Sequence, residues 1–475
     1  MRLIPNFPRR NSHDFRQIVD PLLAQPGLPF ADILSAERIS QVFRRHGNLF
    51  GGVYTTSTVL WAFLGQVLRD GKETACQAAV ACVIAYCELR DLAAPTSDTG
   101  DYCKARAKLS EAALRDLTRE IAAEAEARAE IPWLWKGRHA KLVDGFTMTM
   151  ADTEANQGEY PQQRGQKAGV GLPIARVGVV LSLATAGLLD AAIGPYAGKQ
   201  TSEVALLRSM LGSFSAGDIV VADRFYCSFM LIALLLSRNV QVCARLHQSR
   251  HTDFRRGRRL GREDHVVVWK RPPRPEWMDE ATYDAIPQTL ELREIRYRII
   301  EKGSRTQVFT VVTTLTDEAE FSKEEIAELY GHRWNAELDI RSIKQSLNLA
   351  HSRCQSPAMV RRELWTTLLA YNLIRTTIAA AACLHDRLPR QISFTAACQF
   401  VLPAWLTLAC EFISPDRLLA YSRTMLAQIA SCEVANRPGR IEPRVIKRRR
   451  HRYKLMQEPR AVLKAKLDKE YNTKG

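Results

Sequence analysis

Along residues 30–129 apolar positions recur every three or four residues, as in Val59, Leu60, Phe63, Leu64, Val67, Leu68 and again in Leu109, Ala113, Leu114, Leu117. That period predicts amphipathic helices. They are parted by a loop over 91–100, where Pro95, Ser97 and Gly100 fall close together. From Pro132 the period shortens. Residues 141–148 read as a strand with an acid, Asp144, midway. Residues 176–185 and 187–196 read as two more strands joined by a tight turn at Ala186-Gly187. A helix is predicted over 200–214. The apolar run 217–223 then reads as a buried strand ending in Asp223, followed by an apolar helix over 228–237. Three strands, a helix, a strand and a helix make a mixed α/β core. Strands follow at 240–246, 265–270, 290–301 and 307–315, with a basic loop over 255–262. Helices are expected over 322–349, 356–382 and 394–413, and no internal repeat is visible.

These patterns divide the chain into five parts. An all-helical region, 1–131, precedes the first half of an α/β core, 132–239. A β-rich insertion, 240–318, separates this from the second half, 319–395. A helical and basic region, 396–475, closes the chain. Lys104 and Arg106 give the first region a basic edge, which suits either a DNA-binding module or a plain helical scaffold.

Charge sharpens the picture. The chain of 475 residues carries a net charge of +16. Residues 437–475 hold fourteen Lys/Arg against four Asp/Glu, densest at Lys447, Arg448, Arg449 and Arg450. Residues 245–274 hold ten Lys/Arg, Arg256 and Arg258 among them, against three acids. Such clusters bind polyanions, most often DNA or RNA; a solubilising tail or a membrane-surface patch is the plainer alternative. No stretch looks apolar enough to cross a bilayer, and residues 1–20 have no apolar core of signal-peptide type. Eleven cysteines, scattered singly and with no C-x2-C pair, argue against a disulfide framework and for a reducing cytoplasm.

The chemistry concentrates in the helix predicted over 322–349. At about 100° per residue, Tyr330, Arg333, Glu337 and Lys344 leave one arc about 60° wide. A carboxylate between cations on one stripe can hold a divalent ion while its neighbours grip phosphates. A solvated face with an incidental charge pattern is the bland alternative. Asp144 and Asp223 each follow apolar strand residues, where an acid is costly unless paired or metal-bound. If their strands lie side by side, the two carboxylates meet at one sheet edge and the helix can bring Glu337. Three hard oxygen donors suit Mg²⁺, with Mn²⁺ able to substitute. Other acids have duller expectations. Asp339 is expected as an exposed salt-bridge partner, Asp190 as an exposed residue on a half-buried strand, Asp218 as a turn cap, and Asp152 and Glu154 as loop residues.

Here the sequence resembles the DDE transposases of bacterial insertion sequences, in the insertion-sequence-four group with the Tyr-Arg-Glu-Lys signature. The likeness rests on Val143-Asp144-Gly145, on Ala222-Asp223-Arg224-Phe225-Tyr226, and on Tyr330-Gly331-His332-Arg333-Trp334 leading to Glu337 and Lys344; the segment 369–375 is also familiar. It implies a ribonuclease-H-like catalytic core interrupted by a β-strand insertion, and cut-and-paste transposition on double-stranded DNA. Asp144, Asp223 and Glu337 would then bind the metals. Arg333 and Lys344 would contact phosphates, with Arg341 counted among the DNA contacts, and Tyr330 would hold a nucleotide at the transposon end. The implied partners are terminal inverted repeats and target DNA, bound by a homodimer. An insertion aromatic that probes the space of a flipped base falls near Phe309, with Trp269 as a rival and core packing as the plainer fate of both. A nuclease of the same fold without strand transfer, or a non-catalytic DNA-binding relic, are the alternatives.

Overall fold

A computed structural model describes residues 30, 33–198, 201–299, 307–404, 414–434 and 456–472. The N-terminal region is helical, with α1 Ala36–Arg45, α2 Thr56–Val67, α3 Cys76–Leu89, α4 Thr99–Ala107 and α5 Glu111–Ala127. Ser35, Thr55, Asp98 and Ser110 each accept a backbone N–H at the start of a helix, meeting donors that the first turn leaves unpaired. The strand texture then begins with β1 Ala140–Met150, β2 Ile174–Ser182 and β3 Leu188–Pro195. These form an antiparallel meander whose second turn places Ala186 at φ 58°. Helix α6 Glu203–Ser209 leads to β4 Ile219–Ala222, and α7 Phe229–Leu236 leads to β5 Gln241–Arg245. Strands β4 and β5 both run parallel to β1.

The remaining strands extend the same sheet: β6 Arg258–Gly261, β7 Asp264–Lys270, β8 Thr289–Ile299 and β9 Gln307–Thr313. Their order is β3-β2-β1-β4-β5-β9-β8-β7-β6, with the short β10 His351–Ser352 beside the far end of β1. The result is a mixed α/β protein built on one large sheet, whose β3-β2-β1-β4-β5 portion fits a ribonuclease-H-like core. Strand β5, the first after residue 240, is parallel to β4 and antiparallel to β9, so it joins this portion to the later strands.

Alternation along β1 sends Leu142, Phe146 and Met148 into one apolar cluster with the N-terminal helices. Val143 joins a second cluster with α6, α7, Trp269, Leu290 and Leu292. Both sheet faces are therefore covered, which is why the parallel strands read as apolar runs. The first cluster is centred on α8 Pro357–Leu384, where Leu364, Leu368, Leu369 and Ile374 are fully buried. Each such side chain contributes about 1.5–3 kcal/mol. This helix corrects the expectation that nothing is apolar enough to cross a bilayer. It has 28 residues and a mean hydropathy of 1.4 over its most apolar window, but 89% of that window is buried inside the protein. The apolar surface serves the core.

Segment 369–375 fastens α8 to the sheet. The Tyr371 hydroxyl donates to the Ala186 carbonyl at 2.8 Å. The Asn372 amide donates to the Thr118 and Leu188 carbonyls and accepts the Leu188 N–H. The Cys76 and Cys103 sulfurs lie 3.6 Å apart without a disulfide.

Candidate active site

The last residue of β4, Ala222, lies opposite Val143 of β1 and Ala244 of β5. Asp144, Asp223 and Arg245 follow these partners at one level, Asp144 midway along β1 and the other two at the carboxyl ends of β4 and β5, where open α/β sheets bind ligands. Asp223 opens a short 3-10 turn, Arg224–Tyr226, and its Oδ1 accepts the Phe225 N–H at 2.7 Å. The Gly145 N–H donates to Asp144 Oδ1 at 2.8 Å.

The helical stripe arrives from the other side in pieces. A capping box of Ser322 and Glu325 starts α9 Lys323–Gly331, and α10 Trp334–Arg341 follows after a break. Across the break Arg333, Asn335 and Ala336 donate three residues back rather than four, so the backbone tightens. After α10 it loosens into a π-turn, Ser342–Ser346. The expected single helix over 322–349 is therefore two α-helices and a π-turn.

Tyr330, Arg333 and Glu337 keep a common face. They line an open cavity of about 480 Å³ with Asp144, Gly145, Asp223, Arg224, Arg245 and Ile340. Lys344, seven residues and about 10 Å further along the axis than Glu337, does not line it. It stands 5.8 Å from the Phe146 ring centroid. It also lines a separate cleft of about 630 Å³ with Arg69, Arg106 and Arg353.

Arg333 holds the acids together. Its Nη2 donates to Glu337 Oε1 at 2.7 Å and its Nη1 stands 3.7 Å from Asp144 Oδ2. Burial raises the Asp144 carboxyl to about 6, against the opposing pull of the Gly145 N–H and Arg333, and with help from the charges of Asp223 and Glu203. Burial, then the charge of Arg390, lowers His332, beside Arg333, to about 4. Among the described residues no group of three or more acids, imidazoles or thiols stands close enough to hold a metal ion, since Glu337 is turned to Arg333. The oxygen donors of Asp144, Asp223 and Glu337 nevertheless suit a hard divalent cation.

Asp339 corrects the wheel-based expectation of an exposed acid. It is buried, with Arg375 Nη2 at 2.8 Å and Arg390 Nη2 at 3.0 Å. Because Arg375 belongs to α8, these contacts anchor α10 from behind while Glu337 faces the cavity. Asp190 is likewise fully buried, held by Arg119 and by the Ser213 hydroxyl at 2.6 Å. Asp218 accepts the Ser215 N–H in its turn, and it also pairs with Lys141.

The aromatic rivals separate. Trp269 is buried, with its indole N–H on Glu294 at 3.0 Å. Phe309 packs beside the cavity, its ring centroid 5.4 Å from that of Tyr330 and under the Arg245 guanidinium. Lys104 and Arg341 are exposed. Arg106 instead lies over Phe63 and donates to Gln66. Arg256 is exposed beside Asp253, and Arg258 begins the edge strand β6, which the sequence reading placed in a loop. Lys447, Arg448, Arg449 and Arg450 lie outside the described residues. Sequence reasoning missed Arg245 and Arg224. The first is marked only by its level with Asp223 in the parallel register, the second by its place just after the strand-ending acid.

A family model described as the transposase DDE domain matches residues 135–373. The transposase InsG for the insertion sequence element IS4 of Escherichia coli (strain K12) is 28% identical over 330 residues, covering 67% of this chain and 70% of that protein. A cryo-EM structure of the piggyBac transposase synaptic complex with hairpin DNA has a TM-score of 0.41 at 10% identity, covering 90% of this chain and 87% of that one.

Proposed function

The chain belongs to the transposase DDE domain family, enzymes that cut DNA and transfer strands, and from that premise we propose that Asp144, Asp223 and Glu337 are its catalytic and metal-binding acids. The observation that carries this reading is the register. Val143 opposite Ala222 brings the carboxylate midway along β1 level with the one just past the end of β4, both lining one cavity with Glu337. The family depends on divalent metal, and the ion proposed here is Mg²⁺, with Mn²⁺ as a substitute. Bound there, it would neutralise phosphate charge and sharpen a hydroxyl nucleophile.

The protein's own groups do the rest. Asp144 and Asp223 would supply oxygen ligands from two central strands, and Glu337 would supply another once freed from Arg333. The Arg333 guanidinium, once released, pairs with a phosphate of the scissile strand. Tyr330, tilted against Phe309, holds a nucleotide at the end of the element. Lys344, from the neighbouring cleft, and exposed Arg341, Lys104, Arg256 and Arg258 grip the duplex backbone, with the basic tail adding affinity.

The substrate is the terminal inverted repeat of an insertion sequence, as in the Tyr-Arg-Glu-Lys group. Water attacks the scissile phosphorus and the P–O3′ bond breaks, leaving a 3′-OH. That hydroxyl attacks the opposite-strand phosphorus and displaces the flanking DNA's 3′-oxygen, forming a hairpin; water reopens it at the same phosphorus, restoring the 3′-OH, which then attacks a target phosphorus and displaces a target 3′-oxygen. Two ends must be processed together, so a homodimer on DNA is proposed. The test is incubation with the flanking element ends and Mg²⁺, resolved on a gel that separates nicks, hairpins and joined products. Asp144→Ala, Asp223→Ala and Glu337→Ala should each abolish cleavage while end binding survives; normal cleavage by any of them removes that acid from the site.

A further inference from the structure

Two thiols line the cleft that Lys344 shares, outside the cavity of the three acids. Cys76 is the first residue of α3 and Cys103 lies in α4, and the packing of these helices brings the two side chains together. Both are half-buried, so a small molecule in the cleft can reach them. The Cys103 thiol donates to the Cys76 sulfur at 3.6 Å, and the Gln66 amide donates to the same sulfur at 3.8 Å. Two donors on one sulfur suit negative charge on Cys76. Cys103 is the opposite case, since burial, then the neighbouring Cys76, pushes its thiol up. The pair thus divides into an attacking sulfur and a resolving one. The sulfurs already touch, and a bond between them needs an approach of about 1.5 Å, within reach of side-chain rotation.

The wall around the pair is basic. Arg69, Arg106, Lys344 and Arg353 line the cleft against one carboxylate, Glu363, which accepts from the Ser352 hydroxyl. Arg69 stands 3.6 Å from Glu73, and Arg106 donates to Gln66. Among the described residues neither Lys344 nor Arg353 has a carboxylate within ion-pair distance. Such a cleft draws in small anions and repels small cations.

We propose that Cys76 and Cys103 form a reactive dithiol site that takes small anionic disulfides and closes into a bridge between α3 and α4. The Cys76 thiolate attacks one sulfur of the small disulfide, whose S–S bond breaks and releases one small thiolate. Cys103 then gives up its proton, and its sulfur attacks Cys76. The mixed disulfide breaks and the second small thiolate leaves. The two protein protons end on the two small thiols, and the small disulfide takes both electrons. Cys354, buried in the same wall, is the competing resolver.

The test exposes the full chain, without DNA, to two disulfides of opposite charge, anionic glutathione disulfide and cationic cystamine. After acid quenching and alkylation, peptide mass spectrometry follows the link between Cys76 and Cys103 over time. Each rate is divided by that of the same disulfide with 2-mercaptoethanol, which removes intrinsic reactivity. Glutathione disulfide should then be roughly tenfold faster at low salt, and the difference should shrink as salt screens the cleft. Cys103→Ser should retain one glutathione on Cys76, and Cys76→Ser should leave Cys103 unmodified. Melting temperatures in dithiothreitol identify variants that have lost the fold, and the wild-type rates decide without them. Cys76 and Cys103 both left reduced in the folded wild type, or either linked to Cys354 instead, overturns the site. Equal relative rates at low salt overturn its choice of anions.

Discussion

Arg333 and Glu337 are locked to each other across one helical turn, Nη2 to Oε1 at 2.7 Å, while the same guanidinium reaches back to Asp144 at 3.7 Å. The cation on the protein therefore competes with any cation from solution. Arg333→Gln should raise the Mn²⁺ affinity of the DNA-free protein severalfold while lowering strand cleavage. Affinity unchanged in a resonance titration would mean that the arginine does not hold Glu337 back.

Asp144 makes the metal-free fold less stable at neutral pH. Its carboxyl is raised to about 6, so its contribution is full below the ordinary value of 3.8 and is lost as pH climbs through 6. A shift of this size corresponds to about 3 kcal/mol at most. Asp144→Asn should thus unfold at a higher temperature than wild type in chelator at pH 7, and the difference should vanish near pH 4. Equal melting at both pH values would show that burial exacts no such cost.

The fold keeps His332 neutral. With its imidazole lowered to about 4, the unfolded chain takes up a proton below about 6.5 while the folded chain does not. Stability should fall by about 2–3 kcal/mol as pH drops from 6.5 to 4. The Glu328 carboxylate, at 3.9 Å, does not offset the burial. Replacing His332 by Gln should flatten that part of the urea-denaturation profile; an identical profile would assign the acid lability elsewhere.

Asp339→Asn leaves Arg375 and Arg390 buried with no carboxylate between them, and breaking such a cluster costs about 3–5 kcal/mol. Urea midpoints measure that loss. Because Asp339 fixes the back of α10, the surviving folded fraction should also cleave more slowly. A loss under 1 kcal/mol, the scale of an exposed pair, would return Asp339 to the surface role expected from the helical wheel.

The acids on the strands were legible because each interrupts or ends an apolar run, a cost that a sequence rarely bears without compensation. Tyr330, Arg333 and Glu337 were legible because they span only about two helical turns, over which the tightened break between α9 and α10 still leaves them on one cavity. The π-turn after α10 was not, since it is a choice of backbone hydrogen bonds with no side-chain signature. Asp339 and Asp190 were misjudged for another reason. Periodicity gives a side chain's direction, not which distant element covers it, and α8 and Arg119 come from far along the chain. Arg245 depends on the pairing of β4 with β5, which no local pattern encodes.

The placement of α8 has a consequence for synthesis. Residues 357–384 form the middle of the cluster that the five N-terminal helices share. Emerging from the ribosome, those helices must wait for more than two hundred further residues before their greasy faces find this partner. A product that terminates before 357 exposes them permanently and is destined for chaperones or proteolysis, so early termination yields debris instead of a stable competing fragment.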